Sequence, residues 1–269
     1  MQKRVSRRAV LGSIAGCACC ISGIPGLGAA EKAKQAPHKG RAPHWGYEGA
    51  AAPEKWGELS ADFKACKLGM EQTPIDLKGA IRARFDKPLS LAYQPVGGKI
   101  VNNGHTIQVN LEKGCSCSIE GTSYELLQFH FHHPSEHLLA GKPFAMELHL
   151  VHKAENGALA VLGAFIREGA ENPLLAPIFD TMPGKANAEA ALAPLDPSGL
   201  LPLARAYFRY MGSLTTPPCS EGLTWTVFKE PIEASPEQIR KFAALFPHNA
   251  RPVQQRHHRY LLEAESEAS

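Results

Sequence analysis

Short segments of apolar or alternating character recur along most of the chain, and Gly, Pro and Asn separate them. Helical periodicity is confined to residues 186–192 and 235–246; in the second segment Ser235, Pro236 and Gln238 fit the N-cap, N1 and N3 positions. The spacing favours a mainly β (α+β) fold over repeated βαβ units. Eight segments predict strands, at residues 90–93, 99–101, 106–111, 115–119, 124–132, 144–152, 158–167 and 223–230.

Two successive predicted strands carry histidines among apolar residues. In residues 126–132, LLQFHFH, alternation places His130 and His132 on one face and two phenylalanines on the other. In residues 145–152, AMELHLVH, the same alternation places His149 on the face opposite the leucines. Neighbouring strands can aim these three imidazoles at one point. Three neutral imidazoles with one open position are the composition of a catalytic zinc site.

Residues on the same faces support this interpretation. Imidazoles that bind a metal need acceptors for their second N–H group, and Gln128 and Glu147 each lie two positions before a proposed ligand. Spacing alone leaves a second interpretation open, in which the three histidines are hydrogen-bonded core residues. His133, His137 and His152 fall off the pattern and are interpreted as structural or exposed.

The first 30 residues differ in composition from the rest of the chain. They contain four basic residues and no acidic one, followed by an apolar run that Gly and Pro interrupt. This predicts an export signal to the periplasm rather than a membrane span. SRRAVLG (6–12) resembles the twin-arginine signal, with cleavage after Ala30. A lipoprotein cleavage box at Cys17 is the alternative, which would anchor the mature protein through a lipid but without a transmembrane span.

Residues 31–43 are polar and predict a flexible leader. Residues 44–262 contain no long linker or repeat and predict a single domain, followed by a tail at 263–269. Without the signal, 25 of the 29 Lys and Arg residues remain against 26 acidic ones. The concentrated basic surface of a nucleic-acid-binding protein is therefore not expected.

The histidine strands QFHFHHPSEH (128–137) and ELHLVH (147–152) resemble the zinc strands of the α-class carbonic anhydrases. Further matches follow the family's order over nearly all of the mature chain: HWGY (44–47), EQTPIDL (71–77), NNGH (102–105), LAVLG (159–163), GSLTTPPC (212–219), LTW (223–225) and NARPVQ (249–254). The short spacing between His132 and His149 resembles the exported bacterial branch. The resemblance implies a large central twisted, mostly antiparallel sheet with a few short peripheral helices, and a zinc site at the base of a conical cleft.

The resemblance also implies the reaction, in which hydroxide on Zn²⁺ attacks CO2 to give bicarbonate. His130, His132 and His149 would bind the zinc. Thr215 would accept a hydrogen bond from the hydroxide and donate its own proton to Glu136. His105 would shuttle protons to buffer, a role that suits an unperturbed pKa of about 6.5. Since His105 follows an Asn-Gly turn, an exposed loop residue is the alternative.

Other roles rest on the resemblance alone. Thr216 would line the bicarbonate side of the site, and Asn249 would support the ligands together with Gln128 and Glu147. The apolar wall for CO2 would consist of Val151, Val161, Leu214, Leu223 and Trp225. The residues that hold the water network would be Tyr47, Asn102, Asn103 and Gln108.

The cysteines outside the signal divide into two pairs. By resemblance, Cys66 and Cys219 form a disulfide that tethers the loop of Thr215, with free thiols as the alternative; a disulfide suits an oxidising compartment. Cys115 and Cys117 depart from the family pattern. As i, i+2 neighbours on a strand they are poorly placed to bond each other, so buried thiols are expected, with an intersubunit bridge as the alternative.

Two classes of function remain. The intact ligand and catalytic residues favour a zinc enzyme acting on CO2 and bicarbonate over a non-catalytic binding module on the same fold. Related bacterial enzymes often form homodimers, and the sequence leaves that state open.

Overall fold

The computed structural model describes residues 43–264. The predicted export signal, Cys17, nearly all of the leader and residues 265–269 lie outside the described range. Within it, no helix has the length and apolar character needed to cross a bilayer.

Strands dominate the described residues, and the helices are short. The strands are β1 Asp76–Leu77, β2 Ile81–Arg82, β3 Ser90–Ala92, β4 Val96–Asn102, β5 Ile107–Leu111, β6 Ser116–Ile119, β7 Thr122–His132, β8 Leu138–Leu139, β9 Met146–Ala154, β10 Leu159–Glu168, β11 Glu189–Leu195, β12 Tyr207–Ser213, β13 Glu221–Phe228, β14 Ile232–Ala234 and β15 Leu262–Ala264. The α-helices are α1 Trp56–Leu59, α2 Ala65–Leu68, α3 Ala176–Thr181 and α4 Pro236–Leu245. Single 3₁₀ turns occur at Gly49–Ala51, Pro53–Lys55, Ala61–Phe63 and Pro197–Leu200.

Thirteen of the described strands form one large sheet. Its main path runs β11-β4-β5-β7-β9-β10-β13-β12-β15-β2, and β3, β6 and β14 pair beside it. Neighbouring strands are antiparallel except in the pairs β10–β13, β10–β14 and β15–β2. All eight predicted strands are present, and the mainly β fold with a mostly antiparallel sheet is confirmed.

The predicted helix at residues 186–192 is wrong. Glu189–Leu195 instead forms β11, which pairs antiparallel with β4 at the edge of the sheet. Alanines favour a helix in isolation, but the unpaired backbone of β4 offers partners for every second N–H and C=O group. Leu192 and Leu195 are buried in the core as a result. Tertiary pairing therefore outweighs local propensity here.

The second predicted helix is confirmed as α4. The Ser235 hydroxyl accepts a hydrogen bond from the Gln238 backbone N–H (3.2 Å), and Gln238 Oε1 accepts one from the Ser235 N–H (3.0 Å). This reciprocal capping box satisfies two backbone donors that a helix start leaves free.

The two faces of β7 and β9 have opposite roles. Phe129, Phe131, Leu148 and Leu150 are fully buried in the larger of the apolar clusters. A β-bulge adds Leu127 as an extra residue between Leu126, which is in the same cluster, and Gln128 on the opposite face. Beyond the bulge the alternation is regular, and it directs the histidines away from the larger cluster.

Candidate metal centre

Three histidines converge on the face of the sheet opposite the larger apolar cluster. His130 on β7 is the register partner of His149 on β9, and His132 lies two residues further along β7. The potential ligand nitrogens of the three side chains all lie within 4.8 Å of one another. The strand register thus brings together the three residues that alternation placed on one face.

Each of these imidazoles has one ring nitrogen committed to a protein oxygen. Since an oxygen acceptor fixes the proton on the nitrogen that faces it, the second nitrogen carries a lone pair. The bonds run from His130 Nδ1 to Gln128 Oε1 (2.9 Å), from His132 Nδ1 to the Asn249 carbonyl (2.8 Å) and from His149 Nε2 to Glu147 Oε1 (2.9 Å). The free lone pairs belong to Nε2 of His130, Nε2 of His132 and Nδ1 of His149.

The electrostatic surroundings favour neutral imidazoles. Burial lowers the pKa of His130 well below its ordinary value, and the neighbouring His132 and His149 lower it further. Burial also lowers the pKa of His132, against the opposing charge of Glu136. Neutral imidazole is the form that binds metals.

Glu147 links the metal face to a second buried histidine. Burial alone would raise the pKa of its carboxyl group, but the imidazoles of His137 and His149 hold that pKa well below its ordinary value. His137 donates to Glu147 Oε1 through its ring Nδ1 (2.6 Å) and to Glu147 Oε2 through its backbone N–H (2.8 Å). Its other ring nitrogen, Nε2, is hydrogen-bonded to the Tyr210 hydroxyl (2.6 Å). The interpretation of His137 as structural is consistent with these contacts. His152, which contacts the Tyr93 hydroxyl (2.6 Å), is also buried.

Two buried acceptors near the ligands lack a hydrogen-bond donor. His132 Nε2 and Glu136 Oε2 have no hydrogen-bond partner among the described residues, although they lie 3.4 Å apart. Buried polar atoms are rarely left in this state. A cation coordinated by the three lone pairs resolves it for His132, and three nitrogen donors with an open position match the ligand set of catalytic zinc. The residues present therefore fit a zinc ion.

The histidines form one end of a cavity of about 150 Å³. Its lining includes ten of the residues that the family resemblance singled out: Tyr47, Asn103, His105, Gln108, Val151, Val161, Leu214, Thr215, Thr216 and Trp225. Val151, Val161 and Trp225 lie on β9, β10 and β13, whereas Gln108 lies on β5 and Asn103 and His105 lie just before it. Leu214, Thr215 and Thr216 lie between β12 and β13, and Tyr47 precedes the first 3₁₀ turn. The cavity thus has an apolar wall and a polar wall.

Two predicted cavity residues are not in its lining. The Asn102 side chain donates to the Pro183 carbonyl (2.9 Å) and accepts from the Gly104 N–H (3.0 Å), so it fixes a turn beside the cavity. Leu223 is buried in a second apolar cluster, together with the lining residues Val161 and Trp225. The water-network role of Asn102 and the substrate-wall role of Leu223 stay predictions.

Trp45 lines the cavity and was not singled out from the sequence. Its ring stacks on His105 with centroids 3.7 Å apart and planes inclined by 7°. HWGY (44–47) was a recognised motif, yet only Tyr47 had been given a role. His105 is partly buried, and this burial lowers the pKa of its imidazole. The charge of His44 lowers that pKa further.

The predicted hydrogen bond from Thr215 to Glu136 is not present. Glu136 Oε1 accepts instead from the Arg251 backbone N–H (2.8 Å), and Oε2 faces the ligand histidines. Thr215 is buried and lines the cavity. Its role as the partner of Glu136 stays a prediction.

The predicted disulfide is present between Cys66 and Cys219, with Cα atoms 5.0 Å apart. It joins positions separated by 153 residues, and a loop of that size corresponds to about 5 kcal/mol of chain entropy in the unfolded state. Cys115 and Cys117 are buried free thiols, as expected. His133, beyond the ligand strand, contacts the Pro247 carbonyl through Nδ1 (2.8 Å).

Comparison with known proteins places this geometry in a family. The family model described as "Eukaryotic-type carbonic anhydrase" matches residues 51–264. The carbonic anhydrase of Nostoc sp. is 47% identical over 234 residues, which cover 85% of this chain and 89% of the relative. The α-carbonic anhydrase of Thermovibrio ammonificans, solved with the inhibitor sulfanilamide, has a TM-score of 0.80 and 45% identity, covering 82% of this chain and 99% of its own.

A dioscorin solved with ascorbate has a TM-score of 0.79 and 33% identity, covering 84% of this chain and all of its own. The match to the family model spans most of the chain, and the identities to relatives are high over nearly their full length. The chain belongs to the eukaryotic-type, or α, carbonic anhydrase family.

Proposed function

We propose that this protein catalyses the reversible hydration of CO2 to bicarbonate and a proton, with zinc held by His130, His132 and His149. The observation that carries the proposal is the convergence of three free imidazole lone pairs, each fixed by an oxygen acceptor, at one end of the cavity. Zinc in such sites lowers the pKa of a water molecule to about 7, so that hydroxide is available near neutral pH.

The protein's first task is to hold the ligand imidazoles in one orientation. Gln128, Glu147 and the Asn249 carbonyl accept their outer N–H groups, which keeps the inner lone pairs aimed at the same point. Glu147 is itself held by two bonds from His137. The ligand set is therefore rigid before any metal arrives, which reduces the ordering cost of binding.

The apolar wall suits CO2, which is small and carries no net charge. Val151, Val161, Leu214 and Trp225 line the cavity on the side of His149. They offer CO2 a surface with few hydrogen-bonding groups, whereas a charged pocket would stay filled with bound water. Thr216 lines the same cavity and is assigned to the departing bicarbonate.

Thr215 and Glu136 orient the attacking hydroxide. The Thr215 hydroxyl would accept a hydrogen bond from the nucleophile's O–H and donate its own hydrogen bond to a carboxylate. Glu136 Oε2 is the available acceptor, because it is buried and lacks another partner among the described residues. This arrangement leaves a lone pair of the nucleophile pointing toward CO2.

His105 carries the product proton out of the cavity. Its lowered pKa keeps it neutral, and hence able to accept a proton, at neutral pH. Asn103 Nδ2 donates to Gln108 Oε1 (3.3 Å), and these two side chains with Tyr47 lie where ordered water can connect His105 to the ligand end. Stacking on Trp45 gives the ring a defined resting position.

The disulfide supports an exported protein, since such bonds persist in oxidising compartments. We assign the protein to the periplasm on the basis of the twin-arginine-like motif, with lipid anchoring through Cys17 as the alternative route of retention. Replacement of Arg7 and Arg8 by Lys should block export if the motif is read by the twin-arginine system.

The function is tested by metal analysis together with CO2 hydration by the purified protein before and after chelation. One zinc per chain and activity that chelation removes and zinc restores are expected. Bound zinc without chelator-sensitive hydration would contradict the proposal and favour a non-catalytic binding module on this fold.

A further inference from the structure

Arg251 is a buried arginine whose guanidinium has no carboxylate partner among the described residues. The residue is 2% exposed, and its side chain donates to two backbone carbonyls, from Nη1 to Thr73 (2.8 Å) and from Nη2 to Cys66 (2.9 Å). The guanidinium carbon also lies 5.7 Å from the centre of the Trp56 ring. Burial lowers its pKa to about 10, while the charges of Glu136 and Glu221 oppose that shift. A buried cation without an ion pair is costly, so a specific role is expected.

The backbone N–H of the same residue holds the Glu136 carboxylate. The Arg251 N–H donates to Glu136 Oε1 at 2.8 Å, and this is the hydrogen bond that fixes the carboxylate in the structure. Pro252 follows directly, so the conformational freedom of the Arg251 backbone is already reduced. The side-chain contacts to Thr73 and Cys66 restrict it further.

Cys66 connects this carboxylate to the loop that carries Thr215. Its sulfur is bonded to Cys219, whose N–H donates to the Thr216 carbonyl (2.9 Å) in the loop that carries Thr215. One continuous path therefore runs from Glu136 through Arg251 and the disulfide to the Thr215 loop. Its links are two hydrogen bonds, one covalent bond between sulfurs and one loop hydrogen bond.

We propose that Arg251 is a positioning residue that couples the Cys66–Cys219 disulfide to Glu136, so that the oxidised disulfide sets the position of both Glu136 and the Thr215 loop. The inference rests on the proposed function for its catalytic consequence. When the disulfide opens, the Cys66 carbonyl is no longer held against the guanidinium, and the Arg251 backbone loses the anchor that aims its N–H at Glu136. The disulfide then has a local effect on the site in addition to its effect on global stability.

Amide hydrogen exchange separates the local effect from global stability. The Arg251 N–H reports the bond to Glu136, and the Ile239 N–H, which donates to the Ser235 carbonyl (3.0 Å) in α4, serves as a remote reference. In Cys66→Ser/Cys219→Ser, we expect the Arg251 amide to exchange at least about tenfold faster relative to Ile239 than in wild type, because local opening adds to global opening. Equal acceleration of both amides would overturn the proposal.

The coupling should also act in the other direction. If the disulfide stabilises the contact between Arg251 and the Cys66 carbonyl, that contact must stabilise the disulfide by the same free energy. In Arg251→Lys, where a single ammonium replaces the two-pronged donor, we expect the disulfide to be reduced at a lower dithiothreitol concentration, measured by alkylation of the released thiols. Arg259→Lys is the matched control, since Arg259 also donates to backbone carbonyls, those of Met211 and Gln72. Equal midpoints in both variants would refute the coupling, and this arm needs no Cys→Ser variant to fold.

Kinetics supply the catalytic readout. Arg251→Lys should lower kcat for CO2 hydration by about 10-fold, within the range for residues that act through a ligand or nucleophile-orienting group. In wild type, removing the disulfide should lower kcat about as much as Arg251→Lys does. In Arg251→Lys, removing the disulfide should lower kcat little further. If the two losses in kcat were fully additive, the proposed coupling would be contradicted. The exchange and reduction arms do not depend on catalysis, so their failure is distinguishable from failure of the proposed function.

Discussion

The two halves of the candidate site are built differently. His130, His132 and His149 lie on the adjacent strands β7 and β9, where a continuous antiparallel ladder fixes their relative positions. Thr215 lies in the irregular segment between β12 and β13, which is held by the Leu214 N–H to Ser220 carbonyl bond (3.0 Å) and by the disulfide. Strand register positions the ligands, whereas single cross-links position the loop. Substitutions in the two halves should therefore affect different properties of the enzyme.

The largest effect is expected from a ligand on the strand half. His132→Ala removes one of three donors, so zinc binding and chelator-sensitive activity should both be lost, with hydration falling by about 1000-fold or more. Metal content and initial rates measure this. His133→Ala is the matched control, because that imidazole is hydrogen-bonded to the Pro247 carbonyl and is not one of the three proposed ligands. If His132→Ala retained stoichiometric zinc and activity, the ligand assignment would be wrong.

A smaller effect that spares the metal is expected from the loop half. Thr215→Ala should retain zinc but lose about 100-fold to 1000-fold in kcat/KM, as for removal of one oriented hydrogen-bonding group in an active site. Thr215→Ser keeps the hydroxyl and should recover much of the rate. Zinc loss in Thr215→Ala would show that the two halves are not separable in this way.

The smallest effect on activity is expected at the polar wall of the cavity, where His105 is stacked on Trp45. His105→Ala should slow turnover by about tenfold in weak buffer, less than loss of a typical acid–base group, because water and residual buffer still accept the proton. Imidazole buffer should restore the rate. A variant as fast as wild type in weak buffer would exclude the shuttle role.

The pH dependence of that step has a defined sign. His105 must be neutral to accept the proton, and its pKa lies below the ordinary 6.5. Where proton transfer limits turnover, kcat in weak buffer should therefore rise with pH as His105 loses its proton, with a midpoint below that of an unperturbed imidazole. His44→Ala removes a charge that lowers this pKa, so the midpoint should move upward.

The shared face of the three histidines could be predicted from alternation alone. A period of two assigns each residue to a face, and His130, His132 and His149 lie where that rule places them. β12 was missed because nearly all of Tyr207–Ser213 is buried, so the segment shows no contrast between its faces. The helix at 186–192 was wrong because an alanine-rich segment carries no sign of the sheet edge it completes.

The loop half depends on contacts between residues far apart in sequence. Arg251 stands within a recognised motif, but nothing local indicates that its side chain reaches Cys66, which is 185 positions away. Trp45 likewise gains its role only when the first segment of the described chain folds against His105. The family resemblance supplied Thr215 and the disulfide, which spacing could not.

The bulge at Leu127 also determines where the length of the chain can change during evolution. Because Leu127 is the extra residue opposite β9, its deletion restores a regular ladder and leaves every histidine on the metal face. A deletion between residues 128 and 132 removes a residue from the regular part of the ladder. It would turn the histidines on one side of the deletion toward the phenylalanine core. Deletion of one residue should therefore be tolerated at residue 127 and rejected after it.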